Sequence, residues 1–121
     1  MGTFAKGDIV LFPFPYTDLS NRKLRPCLVL SEQMGEDMVL CQITSQKIQR
    51  DEYSVSVKKE ETKDGSLQVD SYIRTNMLFT AATSQILKKC CSVSSANYNK
   101  VVEKIVMLIS VNDQSGSHQC S

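Results

Sequence analysis

The chain has 121 residues and a formal net charge of +1 at pH 7, so it is long enough for one hydrophobic core and too short for two domains of ordinary size. The near-neutral charge argues against a protein that attracts nucleic acid through its overall field, so a nucleic-acid partner would need a local basic patch. No apolar run approaches the roughly 18 residues of a membrane span, and the first residues lack the apolar core of a signal peptide. We therefore expect a cytoplasmic protein with no membrane partner. Residues 1–111 are predicted to form a single domain, and residues 112–121 a polar, disordered tail.

The five cysteines form no Cys-x-x-Cys pair, and the chain has one histidine. This donor set predicts no metal site, and we expect no cofactor. Cys27 and Cys41 lie inside apolar runs and are interpreted as small buried side chains. Free, buried thiols are typical of a reducing compartment rather than of a disulfide-stabilised domain.

Apolar runs bounded by turn residues predict short strands along most of the chain. The predicted strands and extended segments are residues 9–12, 27–31, 38–44, 52–57, 67–74, 77–80 and 84–89. The first is expected to end at Pro13, and the second is continuously apolar, which predicts burial on both faces. In the fourth, Tyr53, Val55 and Val57 share one side, as in a half-exposed strand. The charged residues 58–65 are interpreted as a solvated turn.

From Ser94 onwards the apolar period becomes that of a helix, with Ser94 or Ser95 as the N-cap. One helical face carries Tyr98, Val101, Val102, Ile105, Leu108 and Ile109. We expect this face to pack on the core or on a second copy of the chain. Short strands followed by one helix predict a mainly β fold with a C-terminal α-helix, in which a small, strongly bent antiparallel sheet forms an SH3-like barrel.

Polar residues that suit chemistry recur at the ends of the predicted strands. Arg25 directly precedes Pro26, which pushes it towards extended geometry, so we expect a loop-borne cation held rigidly at the mouth of a buried strand. The other strand-end residues are Thr44, Ser45, Gln46, Asp70 and Arg74. Arg22, Lys23 and Lys47 offer additional positive charge nearby.

Five blocks of sequence follow one another in a recognisable order. They are Gly-Asp-Ile-Val at 7–10, Pro-Phe-Pro-Tyr-Thr-Asp-Leu-Ser at 13–20, Arg-Pro-Cys-Leu-Val-Leu-Ser at 25–31, Ile-Thr-Ser-Gln at 43–46, and Asp-Ser-Tyr-Ile-Arg at 70–74 followed by Leu-Phe-Thr at 78–80. Together, over residues 6–109, they resemble the MazF/PemK (Kid) family of toxin-antitoxin ribonucleases. One departure is Gln68, which stands where some members carry a basic residue. Another is that residues 14–24 offer only Asp18 as an acid, where some members have a glutamate.

The resemblance implies a barrel of the MazF/PemK/CcdB type that forms a homodimer and cleaves single-stranded RNA, usually messenger RNA, without a metal. A cognate antitoxin would occupy the RNA groove. The resemblance assigns Arg25 and Thr44 as the catalytic pair and Asp70 as a base or an orienting residue. Candidate RNA-binding residues are Thr17, Arg22, Lys23, Ser45, Gln46, Lys47 and Arg74.

These residue types suit RNA cleavage by the substrate's own 2'-hydroxyl, because that reaction needs no nucleophile from the protein. A guanidinium stays protonated, so Arg25 is expected to stabilise the charge of the phosphorane. Thr44 would donate a hydrogen bond to a phosphate oxygen. The structural alternatives are a surface ion pair for Arg25, a backbone-tying hydroxyl for Thr44 and an ion pair between Asp70 and Arg74.

Two other functions stay open at this point. A poison of the CcdB type would bind DNA gyrase through its C-terminal end instead of cutting RNA. Loss of toxicity with retained RNA cleavage, after deletion of residues 112–121, would favour it. A degenerate module would hold RNA without turnover.

Overall fold

Seven antiparallel strands in one bent sheet, followed by a helix, make up the part of the chain that the computed structural model describes, which is residues 4–15, 22–47 and 52–111. The strands are β1 (Asp8–Pro15), β2 (Arg22–Val29), β3 (Asp37–Thr44), β4 (Ser54–Val57), β5 (Thr62–Lys63), β6 (Ser71–Ala82) and β7 (Lys88–Val93), and the helix is α1 (Ser95–Ile109). Short 3-10 turns occupy Lys59–Glu61 and Thr83–Gln85. The spatial order of the strands is β4-β6-β3-β2-β1-β7-β5. This barrel-like sheet with a C-terminal helix confirms the predicted fold class.

Two apolar clusters lie on opposite faces of the sheet. Ile9 and Leu28 belong to the helix-side cluster, which also contains Val101 of α1, whereas their neighbours Val10 and Val29 belong to the far-side cluster. Because side chains alternate along a strand, neighbours in different clusters mean that both faces of β1 and β2 are covered. The prediction of burial on both faces is confirmed by Cys27, Leu28 and Val29, which are fully buried.

The hairpin of β1 and β2 extends past the prolines. Pro13 pairs with Leu24, and Arg25 pairs with Phe12, so Arg25 lies within a strand. The predictions that the first strand ends at Pro13 and that Arg25 is loop-borne are therefore wrong. β7 pairs with β1 only from Asp8 to Leu11. Among the described residues no other strand pairs with that side of β1 at the prolines, so their missing amide donors cost little there.

The turn between β2 and β3 sets the register of these two strands. Met34 and Asp37 exchange backbone hydrogen bonds of 2.7 and 3.0 Å, and Ser31 Oγ accepts one of 2.9 Å from the Val39 amide. The last pair in this ladder is Cys27 with Gln42.

Four sequence predictions in the second half need correction. Residues 58–65 are not a turn throughout, because Thr62–Lys63 form β5, which pairs with β7. Residues 67–70 are not a strand, although Leu67 and Val69 alternate with polar residues. In a strand these two side chains would face the same side, whereas Leu67 packs into the helix-side cluster and Val69 is exposed. Residues 77–80 are not a separate piece but part of the continuous β6. Residues 83–85 form a 3-10 turn, and β7 begins only at Lys88.

Helix α1 begins after its N-cap Ser94, whose Oγ accepts a hydrogen bond of 3.1 Å from the Asn97 amide. Val101 is fully buried and Ile105 packs against the same cluster, as predicted. Residues 106–109 are all exposed, so Leu108 and Ile109 do not pack on this chain's core, and their contact with a second copy of the chain stays a prediction. Among the described residues, no helix is long and apolar enough to cross a membrane.

Candidate active site

A cavity of about 460 Å³ opens at the end of β2 and β3 where their pairing stops. One side, which we call the strand wall, consists of residues 23–26 and 43–45. The other side, the loop wall, consists of residues 66–69 and Ser71, and Leu11 and Cys90 complete the lining. Four predicted site residues meet here, namely Lys23, Arg25, Thr44 and Ser45.

Arg25 and Thr44 occupy matching positions on neighbouring strands. Each lies two residues beyond the last pair of the ladder, Cys27 with Gln42, so strand alternation places both on the same side of the sheet as that pair. Burial raises the pKa of the Cys27 thiol to about 12, while the charge of Arg25 acts in the opposite direction, which indicates that the guanidinium lies near Cys27. The register thus brings one cation and one hydroxyl to the same end of the sheet.

Arg25 is not neutralised by a carboxylate within the described residues. The ion pairs found there join Lys89 to Asp8 at 3.4 Å and to Asp64 at 4.0 Å. The alternative interpretation of Arg25 as a surface ion-pair partner therefore has no support in the described part of the chain. A half-buried cation lining a cavity suits an anionic ligand.

Thr44 has a structural contact, and among the described residues its hydroxyl donates to no other group. Its Oγ1 accepts a hydrogen bond of 3.1 Å from the Gln46 amide, which fixes the chain as it leaves β3. Accepting this bond leaves the hydroxyl proton able to donate to another group. The backbone-tying interpretation and the phosphate-binding interpretation are therefore compatible.

The loop wall is held from both ends although it lacks regular secondary structure. At one end Gly65, with φ +125°, lies so close to the backbone of β7 that an added Cβ would collide with the Cys90 carbonyl oxygen. Leu67 is 7% exposed and anchors the segment in the helix-side cluster. At the other end, Ser71 Oγ donates a hydrogen bond of 3.0 Å to the Val69 carbonyl. The segment is therefore a defined surface.

Asp70 supports this wall and is not among the residues that line the cavity. Its Oδ1 accepts a hydrogen bond of 2.9 Å from the Lys59 amide, which joins the loop wall to the 3-10 turn behind it. The alternative ion pair between Asp70 and Arg74 is not formed, since both ion pairs in the described residues involve Lys89. The catalytic role of Asp70 stays a prediction.

The remaining candidate residues lie away from the cavity or outside the described residues. Gln46 and Lys47 are exposed beyond the end of β3. Arg74 is half-buried on β6 opposite Ser54, and its carbonyl oxygen accepts a 2.8 Å hydrogen bond from Cys41 Sγ. Thr17 and the side chain of Arg22 lie outside the described residues.

Sequence reasoning missed several residues that line the cavity. Leu24 and Val69 are about half exposed, at 48% and 52%, and Cys90 is half-buried in the lining. Burial raises the pKa of the Cys90 thiol above its ordinary value of 9.0, so it is a poor nucleophile. The sequence feature that could have indicated Leu24 as a lining residue is its position between two basic residues, Lys23 and Arg25.

Within residues 4–15, 22–47 and 52–111, no group of three or more His, Cys, Asp or Glu side chains is arranged to hold a metal ion.

The fold and the cavity define a small barrel-like β protein with a cationic cleft at one end of its sheet. The family model described as PemK-like, MazF-like toxin of type II toxin-antitoxin system matches residues 5–109. Since this match covers most of the chain, the protein belongs to the PemK-like, MazF-like toxin family. No curated protein sequence gives a significant match.

Solved structures support the same fold at low sequence identity. MazE-MazF (Form-III) from Deinococcus radiodurans is 16% identical with a TM-score of 0.72, over 90% of this chain and 98% of that one. An endoribonuclease in complex with its cognate antitoxin from Mycobacterial species is 14% identical with a TM-score of 0.68, over 90% and 97%. The Mycobacterium tuberculosis toxin MazF-mt6 is 13% identical with a TM-score of 0.63, over 85% and 98%.

Proposed function

We propose that the protein is an endoribonuclease that cleaves single-stranded RNA, chiefly messenger RNA, without a metal ion, and thereby inhibits translation and growth. The observation that carries the proposal is that Arg25 and Thr44, at matching positions on β2 and β3, line one cavity. The family membership and the naming of a structural neighbour as an endoribonuclease support it.

In the proposed reaction, the 2'-hydroxyl of the RNA attacks the adjacent phosphorus. A bond forms between phosphorus and the 2'-oxygen, the bond to the 5'-oxygen breaks, and the 2'-hydroxyl loses a proton while the departing 5'-oxygen gains one. The products are a 2',3'-cyclic phosphate and a 5'-hydroxyl. Because the nucleophile belongs to the substrate, the protein must chiefly position the phosphate and stabilise the developing negative charge.

Arg25 is assigned to this charge stabilisation. Its planar guanidinium presents several donors, which matches the oxygens of a phosphorane better than a single ammonium does. Thr44 would donate its hydroxyl proton to a non-bridging oxygen while its oxygen stays fixed by the Gln46 amide. The two donors would thus approach the phosphate from neighbouring strands.

Asp70 is assigned to orientation. Its carboxylate is engaged by the Lys59 amide, and the two residues that flank it, Val69 and Ser71, line the cavity. None of the described lining residues carries a carboxylate or an imidazole, so the strand wall would contribute charge stabilisation rather than a general base.

The RNA backbone would pass along the strand wall. Lys23 and Ser45 lie at the cavity, and Gln46 and Lys47 continue the polar surface past the end of β3. Contacts of lysine with phosphate give affinity without reading the base. Arg22, Thr17 and Arg74 stay proposed RNA-binding residues, and Arg74 would act at a distance from the cavity.

The proposed partners are a cognate antitoxin and a second copy of the chain in a cytoplasmic homodimer. Structural neighbours have been solved in complex with an antitoxin, which supports the first. The exposed apolar residues at the end of α1, including Met107 at 73% and Ile109 at 71%, are a candidate contact for a second copy. Met107→Glu is expected to shift a dimer to a monomer in light-scattering measurements, and an unchanged mass would exclude this surface.

The test is incubation of the purified protein with single-stranded RNA in EDTA. We expect cleavage that leaves a 2',3'-cyclic phosphate, and cleavage that depends wholly on added metal would contradict the mechanism. Lys88→Ala, an exposed cation that does not line the cavity, serves as the control for Arg25→Ala. RNA that binds without being cut would favour the non-cleaving module instead.

A further inference from the structure

We propose that Leu24, Gln68 and Val69 form a subsite for one nucleobase beside Arg25 and Thr44, in which Gln68 reads the polar edge of that base. The inference rests on the proposed RNA cleavage and explains how the same cavity would select its substrate.

Two exposed apolar side chains lie on opposite walls of the cavity. Leu24 belongs to the strand wall and is 48% exposed, and Val69 belongs to the loop wall and is 52% exposed. A base of single-stranded RNA is a flat, largely apolar ring that proteins bind against apolar or planar side chains. A ring between these walls would remove both side chains from water, which is favourable by the hydrophobic effect.

Gln68 is the uncharged polar residue next to Val69 on the loop wall, and it is exposed. Its amide provides two donors and an acceptor, which can complement the paired donor and acceptor groups on a base edge. Because Gln68 is neutral, it would add little to the general attraction of phosphates, which Lys23 and Arg25 supply. The two walls would therefore divide the work, with charge on the strand wall and base choice on the loop wall.

The loop wall is anchored on both sides of the proposed base contact. Leu67 is anchored in the core on one side of the Gln68-Val69 pair, and Asp70 is bonded to the Lys59 amide on the other. Since these anchors are already in place, little ordering is needed when a ligand binds. A cavity of about 460 Å³ lies within the range of roughly 300–1,000 Å³ that is typical of small-ligand sites, so it has room for one nucleoside.

The proposal is tested by mapping the cleavage sites of wild type, Gln68→Glu and Gln68→Leu on a pool of RNAs of random sequence. Glutamate is acceptor-only and leucine has no polar group, so we expect the relative use of the four bases at one position next to the cut to change by about 5- to 150-fold. Gln85→Glu, an exposed glutamine that does not line the cavity, is the matched control and should keep the wild-type preference.

The outcomes separate this inference from the proposed function. If wild type cleaves and both Gln68 variants keep its base preference, the subsite is overturned and the ribonuclease stands. If wild type does not cleave, the proposed ribonuclease function is wrong. The base subsite is then tested by fluorescence anisotropy, which measures the affinities of wild type and Gln68→Leu for four labelled homopentanucleotides. A ranking of affinities that changes in Gln68→Leu supports the subsite, and an unchanged ranking overturns it. Thermal melts of every variant should match wild type, because Gln68 is exposed.

Discussion

The strand wall and the loop wall of the cavity are held in place by different means. Residues of the strand wall belong to, or directly follow, β2 and β3, which are joined by backbone ladders and covered by apolar clusters on both faces. The loop wall depends on one buried leucine, one glycine and hydrogen bonds between side chains and backbone. We therefore expect the strand wall to keep its position when single nearby residues are substituted, whereas a single substitution can displace the loop wall.

The largest effect is expected on the strand wall itself. Arg25→Ala should lower the rate of RNA cleavage by about 10²- to 10³-fold, the usual cost of removing one donor to a developing oxyanion. The urea midpoint should change little, because the ladders and clusters remain. Arg25→Lys should recover only part of the activity, since an ammonium lacks the planar fork. Arg25→Ala with wild-type activity would remove this residue from the mechanism.

Thr44→Val tests the hydroxyl on the same wall. The swap preserves shape but removes both the donor and the acceptor for the Gln46 amide, so we expect activity to fall by about 10- to 100-fold, the usual worth of one hydrogen bond to a charged group. Thr44→Ser keeps the hydroxyl and should rescue most of the rate. Equal activity in the valine and serine variants would show that the hydroxyl takes no part in cleavage.

Gly65→Ala should break the loop wall while leaving the strand wall intact. An added Cβ would collide with the Cys90 carbonyl oxygen at a residue whose φ is +125°, so we expect a loss of about 3 kcal/mol in the free energy of unfolding. Gly35→Ala is the matched control, because φ there is +66° but the space is open, and about 1–2 kcal/mol is expected. Urea unfolding measures both. Similar losses would mean that the close approach to β7 is unimportant.

Two substitutions of Asp70 test whether this residue orients the site or acts as a general base. Asp70→Asn keeps an oxygen that can accept from the Lys59 amide, so cleavage should stay within a few-fold of wild type, whereas Asp70→Ala should lower both activity and stability, the latter by about 1 kcal/mol. Initial rates on one RNA oligonucleotide give the comparison. An asparagine variant as inactive as the alanine variant would point to proton transfer.

The smallest effect concerns the thiols packed behind the strand wall. Burial is the main cause that raises the pKa values of Cys27 and Cys41 from 9.0 to about 12. Between pH 9 and about pH 12 the two thiols therefore bind more protons in the folded state than in the unfolded state. The stability that the buried, neutral thiols contribute is complete below pH 9 and is lost as the pH rises towards 12. Urea unfolding should give a lower free energy of unfolding at pH 10 than at pH 8. The difference between the two pH values should be smaller in Cys27→Ala.

The sequence predicted the strand wall far better than the loop wall. Burial of β2 on both faces followed from its continuous apolar run, and Thr44 was correctly placed at a strand end. The sequence predicts Arg25 in a loop because Pro13 and Pro15 are typical of a strand end. The longer hairpin becomes evident only when the partner strands are known. The alternation of Leu67 and Val69 imitated a strand, and the contacts that determine this wall, with Lys59 and Cys90, are distant in sequence.

The apolar character of β2 on both faces has a consequence for how accurately the protein must fold. A slip of one residue against β3 would again place apolar side chains of β2 on both faces, yet it would carry Arg25 to the opposite side of the sheet from Thr44. Burial alone therefore discriminates weakly between the correct pairing and an inactive one. The discrimination falls to the turn at the far end of the ladder, where the Ser31 hydroxyl and the Met34–Asp37 bridge fix the alignment. Residues remote from the cavity, with no chemical part in cleavage, would thus determine whether a folded molecule is an active one.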